Sequence, residues 1–175
     1  MKLLAEISEK SLGIGEPEKL NTNYELRKNP RAILRDKDGN IAIQNIQRDE
    51  FHKLPGGGMD TGESLEEAVA REVKEEVGCN CKVGTLLGMT IEYRNKYNLL
   101  QVSYAFIADV VGEIGEPELE QAEIDEGLVN IWLPATEALE KIRLEATQKH
   151  EKYEVNFILK REINFLEEYL RAVEN

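Results

Sequence analysis

The segment that most limits how this chain can fold is residues 64–78. Ser64, followed by Glu67 three positions on, has the spacing of a capping box, in which side chain and backbone satisfy each other's first-turn donors. Gly78 supplies the left-handed stop, so the spacing predicts a helix over residues 64–77. At about 100° per residue, Leu65, Ala68, Val69, Val73 and Val77 share one apolar face, with Glu67, Arg71 and Lys74 opposite. Glu72, Glu75 and Glu76 fall within an arc of about 100°, and Glu76 lies between Leu65 and Val69, inside the apolar stripe.

Carboxylates crowded beside a core-facing stripe repel one another and lose hydration, so each tends to protonate unless a cation compensates. A hard divalent ion does so. Magnesium takes a few carboxylate oxygens, keeps waters and leaves places for phosphate oxygens. The plain alternative is a solvated acidic face, which the position of Glu76 opposes. The preceding Leu54-Pro55-Gly56-Gly57-Gly58 must be a loop. It is not a P-loop, because Glu63 stands where a lysine would reach phosphate, nor a dinucleotide fingerprint, because Thr61 replaces the third glycine. Carbonyls and acidic side chains in that loop suit a metal better than a bare anion.

The flanking segments alternate in period. Leu3, Leu4 and Ile7 suggest a short edge strand in a peripheral N-terminal segment, residues 1–23, whose residues 13–23 look like a polar loop. Ala32-Ile33-Leu34 and Ile41-Ala42-Ile43 flank a Gly39-Asn40 turn, the pattern of a hairpin. Residues 81–93 are strand-prone, Leu100 to Val110 alternate as in a half-buried strand, and another strand is expected over residues 128–133. Past Pro134, Ala138, Leu139 and Ile142 mark one helix. Leu159, Ile163, Leu166, Leu170 and Val173 mark a longer one within residues 150–175. The order predicts an α/β fold: one domain over residues 1–175, an α/β/α sandwich with a mixed β-sheet.

A formal net charge of −12 argues against a partner as long and anionic as a nucleic acid polymer, though not against a small phosphate ligand escorted by a cation. No apolar run is long enough for a bilayer span and the start turns acidic at Glu6, so no membrane association and a cytoplasmic location are expected. Cys79 and Cys81 are expected to be free thiols, too close for a disulfide and too few for zinc.

Residues 57–79 resemble the box of the Nudix hydrolase family (MutT-like), G-x5-E-x7-R-E-U-x-E-E-x-G-U, with Gly57, Glu63, Arg71, Glu72, Val73, Glu75, Glu76 and Gly78 in place. Cys79 fills the last apolar slot as a small hydrophobe. Leu54 to Gly58 and Ile131-Trp132-Leu133-Pro134 also look Nudix-like, so the resemblance spans about residues 31–134.

The resemblance implies that Glu72, Glu75 and Glu76 hold metal, magnesium with manganese as a substitute, assisted by the Gly56 carbonyl. Arg71 and Glu63 would act in support, with Gly57 and Gly78 shaping the loop and the helix end. A further acid six residues before Trp132 would be Glu126, as ligand or base, with Glu123 next in line. Glu72 is favoured over Glu126 as general base. Tyr93, Arg94 and Tyr97 are candidates for stacking on a base, Trp132 is expected to pack, and nothing marks His52 or His150 as a catalyst.

The implied reaction is hydrolysis of a phosphoanhydride in a nucleoside diphosphate derivative, water attacking phosphorus in line with the leaving phosphate. The leading expectation is a nucleoside triphosphate pyrophosphohydrolase, including one for oxidised deoxynucleotides. ADP-ribose, nucleotide sugars and dinucleoside polyphosphates are the alternatives within the class. Relatives acting on those often carry a proline or tyrosine at set distances past the box, and here Tyr97 is only a loose match. From another class comes a module that senses a nucleotide without cutting it, which the intact box glutamates oppose. The expected partner is thus a small nucleotide, with the chain a monomer or homodimer.

Overall fold

The structure, a computed structural model, describes residues 1–15, 23–148 and 150–174. Strands β1 (Leu3–Ser8), β2 (Glu25–Arg35), β3 (Ile41–Ile46), β4 (Phe51–Lys53), β5 (Asn80–Arg94), β6 (Leu99–Val111) and β7 (Leu128–Leu133) form a seven-stranded sheet. Its order is β1-β5-β6-β2-β3-β4, with β7 on β3. The β1–β5 and β2–β6 pairs are parallel and the others antiparallel, which makes the sheet mixed. The helices are α1 (Glu9–Leu12), α2 (Leu65–Val77), α3 (Gln121–Glu126), α4 (Ala135–Glu145) and α5 (Tyr153–Glu174). Among the described residues no helix is long and apolar enough to cross a membrane.

Successive residues of a strand face opposite sides, and β2 shows how that builds two cores. Ala32 and Leu34 meet Val69, Val73 and Val77 of α2 on one side, whereas Ile33 meets the layer of Phe165 and Leu166 of α5 and Ile142 of α4 on the other. The expected α/β/α sandwich is therefore present. The helix of the box forms one outer layer, α4 and α5 the other.

The local expectations and the structure agree at α2, whose capping box joins Ser64 to Glu67 and whose C-cap Gly78 has φ of 80°. The β2–β3 turn also forms as expected, with Gly39 at φ of 84°, and Cys79 and Cys81 are free. Four differences have physical causes. The expected loop at residues 13–23 is preceded by the short α1, capped by Ser8, and its residues 16–22 lie outside the described set. Strand β4 is three residues long and carries little pattern of its own; its pairing with β3 makes it. The Glu-rich loop folds into the single turn of α3, closed by Glu120 and Glu123 acting on each other's backbone. Finally, β6 is not half-buried in its N-terminal half: Gln101 and Ser103 are as hidden as its apolar set, because α5 covers that face and buried polar groups answer them.

Phe165 is fully enclosed between α5 and the sheet. Phe165→Ala is expected to cost about 3–5 kcal/mol in denaturant unfolding, as for a large ring removed from a core that only partly collapses. A cost below about 1 kcal/mol would show that this layer is loosely packed.

Candidate active site

The loop between β4 and α2 runs back along β2, where the Ala32 N–H donates to the Pro55 carbonyl at 2.9 Å. Two glycines let it do so. Gly56 sits at φ of 129°, and a Cβ there would lie 2.4 Å from the Pro30 carbonyl oxygen. A Cβ on Gly57 would lie 2.4 Å from Glu72 Oε1, so the carboxylate packs directly on that backbone.

The box carboxylates divide by environment. Glu76 is 2% exposed; its Oε2 accepts the Gly56 N–H at 2.6 Å and Lys53 Nζ stands 3.6 Å from its Oε1. Glu72 is 9% exposed and Oε1 accepts from Arg71 at 2.9 Å. Glu75 is the open one, tied to Arg71 at 3.0 Å. Arg71 is the hub: it also grips both oxygens of Glu63 at 3.0 and 3.1 Å and the Gly58 carbonyl at 2.9 Å. Those hydrogen bonds, Glu63 first, hold its proton still more firmly than usual, and they hold Glu63 below the ordinary carboxylate range.

The balance of charge in this cluster is unfavourable at Glu72. Burial first, and the Glu76 carboxylate second, push its carboxyl up to about 7, against the pull of Arg71 and Arg31. Glu123 of α3 is also raised, by burial above all; the Glu120 N–H works against this and the Glu76 carboxylate adds to it. Glu123 thus joins the box from outside the helix. Glu126, one turn on, points away to Arg48 at 3.0 Å. Among the described residues no three acidic, histidine or cysteine side chains already converge as a finished metal cage. The donors nonetheless suit a hard divalent ion: they are carboxylate oxygens, those of Glu72 and Glu76 on buried side chains.

Beside the cluster lies a basin of about 640 Å³ lined by Leu26, Arg27, Lys28, Met59, Arg71 and Glu72, among others. Arg27 and Lys28 are exposed members of β2 that no spacing in the sequence singled out; only the return of the loop along β2 sets them beside the box. Tyr93, Arg94 and Tyr97 are not part of this lining. Arg94 is buried, bonded through Nε to Glu92 at 2.8 Å and set 5.5 Å over the Phe157 ring. Tyr97 donates to Glu154 and abuts Tyr153, and Tyr93 meets Tyr24 edge-on. Trp132 packs in the α2-side core, and His52 is bonded to Glu145 at 2.6 Å.

A family model described as NUDIX domain matches residues 25–155, which cover the sheet from β2 onward, the box and the basin. The chain belongs to the Nudix family. An ADP-ribose pyrophosphatase of Methanocaldococcus jannaschii is 39% identical over 80 residues, covering 44% of this chain and 47% of that protein. The 8-oxo-dGDP phosphatase NUDT18 of Homo sapiens is 35% identical over 107 residues, covering 60% of this chain and 31% of that protein. This chain thus spans about half, or less, of the length of these curated relatives. A MutT protein from Methanosarcina mazei Go1 superposes with a TM-score of 0.60 at 20% identity, over 89% of this chain and 100% of that one, a likeness of fold.

An acid whose pKa is raised on folding holds more protons folded than unfolded between its ordinary value and about 7, so stability falls as pH rises through that window. In metal-free protein, the thermal midpoint is expected to drop between about pH 5 and about pH 8. Glu72→Gln should flatten part of that drop and added magnesium should reverse it. An unchanged slope in Glu72→Gln would place the cost on other groups.

Proposed function

We propose that this Nudix chain is a metal-dependent pyrophosphohydrolase that cleaves a phosphoanhydride bond in a nucleoside diphosphate derivative, with nucleoside triphosphates as the preferred class. One observation carries the reading: Glu72, a buried carboxylate of α2 beside Glu76, borders a polar basin that Arg27 and Lys28 also line. A polyphosphate is long and anionic enough to touch both.

Glu72, Glu75, Glu76 and Glu123 would supply the oxygens for the ion, and Gly56 could add its carbonyl through the second lone pair that a carbonyl oxygen carries. When bound, magnesium or its substitute manganese would supply the charge that offsets these carboxylates and Lewis acidity toward the phosphoanhydride. Arg27 and Lys28 hold the outer phosphates, where their charge also opposes the net −12 of the chain. Arg71 keeps Glu72 turned through Oε1, which leaves Oε2 to accept a proton from the attacking water. Glu123 takes the part expected of Glu126, whose carboxylate is engaged by Arg48. Arg94 and Tyr97 pack on α5 and Tyr93 on Tyr24, away from the basin, so the base rests on Leu26 and Met59 at the basin wall. The products are a nucleoside monophosphate and the phosphorylated remainder.

The test is a panel of nucleoside triphosphates, 8-oxo-dGDP, ADP-ribose, nucleotide sugars and diadenosine polyphosphates, each assayed with magnesium for released monophosphate. Turnover of triphosphates above the rest is expected. A preference for ADP-ribose would transfer the substrate class to that of the archaeal relative's name, and silence on every member would favour a nucleotide-sensing module. In the same assay Glu76→Gln is expected to lose about three orders of magnitude in kcat with its circular dichroism unchanged. Glu123→Gln should lose about 10- to 100-fold and Glu126→Gln only a few-fold. The reverse ranking of the last two would return the role to Glu126.

A further inference from the structure

Behind the glycine loop, on the sheet face covered by α5, lies a set of buried charges that the proposed reaction does not use. Arg161 and Glu162 of α5 and Glu92 of β5 are all fully enclosed. Arg161 donates to Glu162 Oε1 at 2.6 Å and to Glu92 Oε1 at 3.2 Å. Burying three such groups is costly unless their geometry is satisfied, yet Glu162 Oε2 has no hydrogen-bond partner among the described residues. The next charge is Arg31 of β2, 6% exposed, whose Nε is likewise without a partner. Its Nη1 is committed elsewhere, donating to the Leu54 carbonyl at 3.3 Å and to the Gly56 carbonyl.

Gly56 therefore has both of its backbone polar groups engaged by buried charges. Its N–H is given to Glu76 and its carbonyl is held by Arg31. Arg31 in turn feels the like charge of Arg161, which works against its own, and the attraction of Glu162, Glu76 and Glu72, which favours it. The guanidinium is a rigid fork, able to fix a peptide group in a way that a flexible ammonium is not.

We propose that Arg31, backed by Glu162 of α5, is a positioning residue that sets the Gly56 backbone and through it the carboxylate of Glu76 for the divalent ion. The inference rests on the metal-dependent reading above. It ties the far helical layer, which contributes no group to the basin, to the geometry of the box. It also makes an unusual claim about sign. A cation this close to the carboxylates, acting by charge alone, weakens the binding of a dication, so its removal would tighten binding. A positioning residue does the opposite.

The experiment is isothermal titration of Mn²⁺ and Mg²⁺ into the full chain and its Arg31→Met, Arg31→Lys, Glu162→Gln and Glu76→Gln variants, with circular dichroism melts of the metal-free proteins alongside. Arg31→Met is expected to bind the ion on the order of 10- to 100-fold more weakly. Arg31→Lys should recover part of that loss, and Glu162→Gln should weaken binding less than Arg31→Met does. In turnover, the Arg31 variants should lose kcat at saturating nucleotide but regain much of it at high magnesium, with the nucleotide KM little changed. Binding as tight as wild type, or tighter, in a folded Arg31→Met overturns the proposal while leaving the metal site intact, provided that Glu76→Gln weakens the ion in the same series. If Arg31→Met does not fold, wild-type affinity in Arg31→Lys together with Glu162→Gln overturns it equally. If the wild-type chain binds neither ion, the metal-dependent reading itself falls, and this inference with it.

Discussion

Glu76 holds its charge almost out of reach of water, against the backbone of a glycine loop, and the Gly56 N–H at 2.6 Å is the contact that makes this possible. A carboxylate in the apolar stripe of a helix is tolerable only if donors replace its lost hydration, and a backbone N–H is a donor that no side-chain motion can withdraw. The loop must therefore lie where it does. Gly56 and Gly57 have no Cβ to keep them off β2 and Glu72, and the helix must be capped so that its third turn meets the loop in register.

Arg71 performs the complementary task at the open end of the same surface. By binding Glu63, Glu72, Glu75 and the Gly58 carbonyl, it ties the first residues after the loop to the middle of α2 and spreads one positive charge over three carboxylates. One charge does not offset burial and the neighbouring Glu76 carboxylate at Glu72, whose pKa stays raised. In the proposed function a divalent ion supplies the remaining compensation. The fold brings Lys53 to Glu76 and Arg31 to the glycine loop, and lines the basin with Arg27 and Lys28.

The two helical layers do unequal work. On the α2 side the contacts are apolar beneath and acidic at the rim, the arrangement of a working surface. On the α5 side an ordinary core of Ile33, Ile43, Phe165 and Leu166 surrounds charges that are wholly enclosed. Isolated from function, such charges are weak grounds for stability, because a well-packed apolar set would serve as well. In the positioning role proposed for Arg31, their field gives them a use that stability does not.

Much of this was legible from neighbours in the chain. The α2 helix, its caps, the carboxylate arc and the β2–β3 turn all follow from spacings of two to four residues, where periodicity and backbone preference act directly. Other features needed distance across the sheet. Gln101 and Ser103 look like the wet side of a strand until α5 covers them. Spacing from Trp132 favours Glu126 over Glu123, but the fold couples Glu123 to Glu76 and leaves Glu126 to Arg48. Tyr93, Arg94 and Tyr97 have the composition of a stacking site, yet α5 takes up Arg94 and Tyr97 as packing partners and Tyr93 meets Tyr24. Sequence alone determined which carboxylates share a surface, because one helix sets their angles. Only the tertiary structure decided which cations, carbonyls and second carboxylate meet them, because those groups come from separate strands and helices that meet only when the sheet is assembled.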